Sequence, residues 1–226
     1  VEVVRGTRTD ADVLASALDL VRRIGKIPVV VGVCHGFVGN RILMARNAQA
    51  DALLLEGALP EQVDRVVREF GLAMGPYEML DLGGGIEVNV RRRHEEGERT
   101  PVPDPDVTAL VEEASLRAGV QRRAIDDVEI RDRLILTMVN EGARILDEGI
   151  ALRPGDIDVI WRYGYGWPDW KGGPMYVAQL MGPADVVQRL EALATANGPT
   201  FTPSQVLVRA AQSGRLIDDA GDWPAP

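Results

Sequence analysis

In the stretch Gly36-Phe37-Val38-Gly39-Asn40-Arg41 two glycines bracket a Phe-Val pair and an asparagine follows. Glycines let a backbone come close to a ligand or to another element. An asparagine at the first turn of a helix can cap the free amides there. It can also aim its own amide at a ligand beside the positive end of the helix dipole. On spacing alone the cap is the favoured reading of Asn40. Near the N-terminus, Glu2 is the lone charge in Val1-Glu2-Val3-Val4, among branched apolar side chains. By itself it reads as an edge-strand glutamate facing water. Other chemistries find little support. Cys34 lacks a partner set for nucleophilic catalysis, and His35 and His94, far apart among scattered carboxylates, make no metal signature.

These residues need elements to hold them. Ile27 to Val33 is a short β-branched run with Pro28 near its start, which fits a buried strand. Arg41 to Glu56 is apolar or Ala at most positions and helical in length, so the GFVGNR stretch is a strand-to-helix turn. Upstream, Val1 to Val4 reads as a strand and Thr9 with Asp12 as a capping pair. Leu14, Ala17, Leu18, Val21 and Ile24 mark one helical face that stops at Gly25. Strand, helix, strand is a βαβ pattern, the edge of a parallel sheet. Two strands cannot form a stable parallel sheet buried on both faces. The remaining strands are therefore expected outside this chain, which opens on Val1 and reads as part of a longer protein.

Beyond Asn40 the pattern is helical. Ile42, Ala45, Ala48, Ala52 and Leu55 keep helical spacing, and Leu43, Met44, Leu53 and Leu54 widen the apolar surface, as in a central helix. Pro60 opens a further helix, and a short one covers Tyr77 to Leu82, closed by Gly83-Gly84-Gly85. The polar, Pro-rich stretch from Arg91 to Asp104 reads as a linker. Asp104-Pro105 then starts a short helix that Gly119 stops. An internal repeat follows. Glu56-Gly57-Ala58, Pro60, Val63 and Asp64 recur as Glu148-Gly149-Ile150, Pro154, Ile157 and Asp158, and Gly75-Pro76 has its echo in Gly173-Pro174. Two similar helical halves predict a mainly α body behind the βαβ unit.

With 226 residues the chain holds one or two domains and a sizeable core. Its net charge of −9 argues against general nucleic-acid binding, which wants a basic face. The basic run Arg91-Arg92-Arg93 is short and reads as a solvated face. One cysteine excludes an internal disulfide and suits a reducing compartment such as the cytoplasm. No apolar run approaches the roughly 20 residues that cross a bilayer. The tryptophans at 161, 167, 170 and 223 read as core and loop packing.

Strand, GFVGNR, long helix, EGA-x-P-x-x-VD, then FGLAMGPYEMLDL resembles the C-terminal region of NAD-dependent 3-hydroxyacyl-CoA dehydrogenases. NEGARILDEGIA-x-RPGDIDVIWRYGYGWPDWKGGPM resembles the duplicated C-terminal domain of the multifunctional fatty-acid oxidation proteins, in which an enoyl-CoA hydratase precedes the dehydrogenase. The resemblance covers nearly the whole chain except the linker. It implies a fold of two duplicated helical domains after a remnant of a Rossmann domain: residues 1–35 the remnant, 36–100 the first helical domain, 101–226 a linker helix and the second repeat.

It also implies a chemistry, oxidation of an L-3-hydroxyacyl-CoA to the 3-ketoacyl-CoA. A histidine takes the hydroxyl proton and a carboxylate orients that histidine. Val1-Glu2-Val3-Val4 matches the family strand bearing the carboxylate, which makes Glu2 the dyad member. Asn40 matches the asparagine near the reacting oxygen, and Gly36, Phe37, Met74, Gly75 and Pro76 would line the cleft near the acyl chain. Arg41 reads as structural. The family's catalytic histidine has no match, nor has its usual G-x-K-x-G-x-G segment, and no Gly-x-Gly-x-x-Gly turn links a strand to a helix. NAD is therefore expected to be held mainly by a domain absent from this chain, which alone would be inactive. No metal is implied. The alternative is a non-catalytic module for acyl-CoA binding or oligomerisation. Apolar helices in excess of one core make a homo-oligomer plausible.

Overall fold

β-branched residues on both strands build the sheet. In the computed structural model, which describes residues 1–82 and 105–216, β1 (Glu2–Val4) and β2 (Val29–Val31) pair in parallel, Glu2 opposite Val29 and Val4 opposite Val31. Between them runs α1 (Ala11–Arg23). The predicted Thr9–Asp12 capping pair does not form. Asp10 holds the cap position without a side-chain bond, and the Thr9 hydroxyl accepts the Gly6 N–H at 3.0 Å instead. That local turn holds the Thr9 hydroxyl on Gly6, one residue ahead of the cap position. Of the predicted face only Val21 is fully buried, and Ile24, past the helix end, is 60% exposed.

The remaining helices are α2 (Phe37–Glu56), α3 (Pro60–Phe70), α4 (Pro76–Leu82), α5 (Pro105–Arg117), α6 (Asp127–Asp147), α7 (Pro154–Gly164), α8 (Pro174–Met181), α9 (Pro183–Asn197) and α10 (Gln205–Ser213). The chain is mainly α, as predicted, with the βαβ unit in front. No helix among the described residues is long and apolar enough to cross a membrane. By its contacts the chain divides into two units, Val1–Ala45 with Ile135–Pro226, and Arg46–Leu134, so the division falls inside α2 and α6. Gly83-Gly84-Gly85, Arg91-Arg92-Arg93, His94, Trp223 and the domain limit expected at residue 100 lie outside the described residues.

In the first unit the C-terminal end of β2 is met by the segment preceding α7. Gly32 N–H donates to the Ile150 carbonyl at 2.7 Å, and Val31 bridges Ala151 in antiparallel fashion. Farther along, Asn140 of α6 donates to the Thr202 carbonyl and accepts the Ser204 N–H at 2.9 Å, and the Ser204 hydroxyl caps α10 at the Leu207 N–H. Trp161 and Trp167 are buried core residues; Trp170 is 74% exposed, contrary to its predicted packing role. It is left on the rim with the Lys171 ammonium 4.3 Å from its ring centre.

In the second unit the guanidinium of Arg133, fully buried, is held by Glu56 through two bonds of 2.6 and 2.8 Å, with Gln49 accepting a third. A buried charge survives only when paired and hydrogen-bonded in this way. The face of α2 differs from the predicted alanine stripe. Ala48 is exposed, and the buried positions run through Val38, Ile42, Arg46, Gln49, Ala50 and Leu53. With apolar residues on most sides, spacing could not select the face, and two polar side chains sit on the buried one.

The repeat has a common geometry. Asp64 of α3 is buried and accepts the N–H groups of Tyr77 and Glu78 at 2.9 and 3.0 Å. Asp158 of α7 does the same for Met175 and Tyr176 at 2.7 and 3.1 Å. In each half a proline opens the next helix and the aspartate takes the following two orphan amides. The glycine before that proline is required in both. A Cβ on Gly75 would strike Asp64, and one on Gly173 would strike Asp158.

Candidate active site

The turn after β2 is a tight reversal. Gly36 has φ +73°, and Phe37 follows at φ +49°, a left-handed conformation that a side chain with a Cβ rarely adopts. The turn is closed at Cys34, whose carbonyl accepts the Phe37 N–H and whose thiol donates to the Phe37 carbonyl, both at 3.2 Å. Two consecutive left-handed residues swing the chain from sheet into helix at once. Strain of this kind, of order 1–3 kcal/mol, persists where surrounding contacts over-determine it.

Those contacts come from Glu2. Its two carboxylate oxygens accept the N–H groups of Val38 and Gly39 at 2.8 and 3.0 Å. These are the second and third residues of α2, whose amides have no partner within the helix. A carboxylate there is favoured by both the hydrogen bonds and the helix dipole. Asn40 is therefore not the cap that spacing favoured; the cap is contributed from β1. Neither does Glu2 face water as an idle edge-strand charge. Asn40, freed from capping, is exposed, and its Oδ1 accepts the hydroxyl of Tyr165 at 2.8 Å. Its Nδ2 has no bond among the described residues.

Tyr165 lies in the loop after α7 and is fixed from two sides. Its ring stacks on buried Trp161, centroids 4.8 Å apart, and Trp161 meets Trp167 edge-on. On the other side it presses on Gly39, where any Cβ would overlap the phenol. Burial, and secondarily the charge of Glu2, push the Tyr165 phenol above its usual range, so it remains a donor at neutral pH. Glu2 and Tyr165 both border a cleft of about 490 Å³, with Lys26, Ile27, Ile160 and Tyr163 among its other walls. One residue past Asn40, Arg41 is structural as predicted. It donates to Glu141 at 2.7 Å and forks onto Glu148 at 2.6 and 2.7 Å, fastening α2 to α6 and the residue after it.

The sequence-predicted residues thus fall into two sets. Gly36, Phe37 and Asn40 lie on one turn of the first unit, and the Glu2 side chain reaches it from β1. Met74, Gly75 and Pro76 belong to the second, where Gly75 and Pro76 build the α4 start against Asp64. Tyr165 escaped the sequence reading. Its signal was a tyrosine between two glycines in a stretch where the repeat is uneven: Asp64 and Pro76 are 12 residues apart, Asp158 and Pro174 are 16.

The start of α1 does not suit a nucleotide. Arg5-Gly6-Thr7-Arg8-Thr9-Asp10 holds one glycine, its N–H is spent on Thr9, and Asp10 and Asp12 put negative charge where a pyrophosphate would need amides.

A βαβ edge, a carboxylate-capped GFVGNR turn and a duplicated helical body define a class, and the comparisons agree with it. Residues 36–125 and 130–223 match the family described as 3-hydroxyacyl-CoA dehydrogenase, C-terminal domain, and residues 1–34 match its NAD binding domain. The chain belongs to the 3-hydroxyacyl-CoA dehydrogenase family. It is 36% identical to the peroxisomal bifunctional enzyme of Danio rerio and 33% to that of Homo sapiens, in each case over 94% of this chain. The chain spans about a third of those relatives' length, 36%. Both alignments run over 263 residues, more than the 226 of this chain, so the relatives carry insertions that it lacks. Among solved structures, 3-hydroxybutyryl-CoA dehydrogenase from Escherichia coli shares the fold with a TM-score of 0.71 at 20% identity, over 94% of this chain and 67% of that one.

Proposed function

We propose that this chain is the substrate-side part of an NAD-dependent L-3-hydroxyacyl-CoA dehydrogenase of fatty-acid β-oxidation, inactive until joined to the rest of its nucleotide-binding domain. The observation that carries this reading is the Glu2 carboxylate seated on the turn that presents Asn40. In the reaction a 3-hydroxyacyl-CoA becomes a 3-ketoacyl-CoA, and NAD, held outside this chain, is the hydride acceptor.

The chain's own contribution is electrostatic. Asn40 Nδ2 donates to the reacting oxygen and stabilises charge developing on it in either direction. Glu2 keeps lone pairs free beside its two amide bonds, and these orient the histidine that takes the hydroxyl proton, supplied with the nucleotide-binding part. Gly36 and Phe37 border the acyl chain; for Met74, Gly75 and Pro76 an acyl-chain role rests on the family resemblance alone. Residues 1–35 are then the edge of the nucleotide-binding domain, 36–100 the first helical domain and 101–226 the second with its linker helix. The substrate is an acyl-CoA, and a fused enoyl-CoA hydratase and a homo-oligomer are the proposed partners. A cytoplasmic site rests on the single cysteine; the relatives are by name peroxisomal or glyoxysomal, and fractionation decides between them.

The test is acetoacetyl-CoA-dependent NADH oxidation by the full-length protein and its Asn40→Ala variant. Losing one oxyanion donor lowers kcat about 10²-fold or more. An unchanged rate removes Asn40 from the mechanism. Acyl-CoA binding without turnover in the full-length protein would favour the non-catalytic module.

A further inference from the structure

We infer that Tyr165 is a positioning residue for the dehydrogenase reaction, setting the rotamer of Asn40 so that its amide, not its carbonyl, meets the substrate oxygen. The inference rests on the reading of Asn40 given above and adds a residue to it. An asparagine side chain is two-faced. A half-turn about its last torsion exchanges an N–H donor for a carbonyl acceptor, and an exposed asparagine samples both orientations. A carbonyl turned toward a developing oxyanion repels it.

At Asn40 the choice is made by a neighbour. The Tyr165 hydroxyl lies 2.8 Å from Oδ1, leaving Nδ2 as the free end. The flipped amide would reverse this bond, making the phenol oxygen the acceptor of Nδ2 and leaving the phenol proton without a partner among the described residues, so the observed orientation is the better satisfied one. The phenol is itself immobile, clamped between Trp161 and the bare Cα of Gly39. Gly39 is thus explained as the residue that admits the ring. Tyr165 belongs to the second helical half and Asn40 to the first, so the repeat contributes a working group to its twin's site.

Tyr165→Phe keeps the ring and its stacking and removes only the hydroxyl. In the full-length protein kcat for acetoacetyl-CoA reduction falls about tenfold while KM changes less than twofold, because the donor is still present but no longer held. In Asn40→Ala the same substitution costs nothing further, the two groups acting as a unit. In the 226-residue chain itself, the Asn40 side-chain amide in nitrogen-15 relaxation spectra gains mobility on Tyr165→Phe while the backbone amide of Val38 keeps its order. Full kcat in Tyr165→Phe, or a tenfold loss that recurs undiminished on the Asn40→Ala background, overturns the inference. Full activity of Asn40→Ala overturns the reading of Asn40 and this inference together, whereas an impaired Asn40→Ala beside an unimpaired Tyr165→Phe removes this inference alone.

Discussion

At the scale of single residues, Glu2 caps α2 and, in the proposed function, also orients the histidine that takes the hydroxyl proton. Each oxygen holds an amide of α2, and each retains a lone pair for a further donor. A glutamine there keeps one acceptor and sets an N–H against the other amide. Glu2→Gln is therefore expected to lower stability by about 1 kcal/mol, the ordinary worth of a helix cap. Urea denaturation checks this, and an unshifted midpoint would show the cap to be idle. The residue scale is also where sequence was least able to decide. Glu2 in a β-branched run and Asn40 at a helix start each admit a bland reading, and the family pattern alone singled them out.

At the scale of elements, three helices of this chain start in one way. A carboxylate from another element takes the amides of the second and third residues of α2, α4 and α8. The two aspartates do so under cover. Burial pushes Asp64 up to about 6 and Asp158 up to about 7, against the pull of the amides they hold. The unfolded chain loses the Asp158 proton near pH 4, whereas the folded chain keeps it to near 7. The folded state thus binds the extra proton in that window. Stability contributed by Asp158 is fully present below pH 4 and is lost as pH rises toward 7, by up to about 1.4 kcal/mol per unit. Asp158→Asn is expected to flatten the pH dependence of the urea midpoint between pH 5 and 7, and a variant with the wild-type slope would refute the assignment. The Gly-Pro pairs at 75–76 and 173–174 were legible as punctuation in the sequence. That each glycine makes room for a buried aspartate was not, because the partners lie more than ten residues away.

At the scale of the whole molecule, the βαβ unit is an edge without the rest of its sheet among the described residues. Its turn into α1 spends its one glycine amide on Thr9 and presents acidic side chains. Calorimetry of the 226-residue chain with NAD is expected to show no binding heat, and acetoacetyl-CoA with NADH no turnover. A measured NAD affinity would contradict this account.

From its residues alone the chain determined its class, its mainly helical body, its βαβ edge and its duplication, because apolar spacing, glycine and proline positions and charge are local properties carried along one dimension. What the fold alone decided were the partners: Glu2 rather than Asn40 as the cap of α2, the buried face of a helix apolar on most sides, and Tyr165 resting on Gly39 with its hydroxyl on Asn40. Each of these joins groups 36 to 126 residues apart or selects among equivalent local choices. Such pairings depend on how elements pack in three dimensions, and no periodicity in a sequence encodes them.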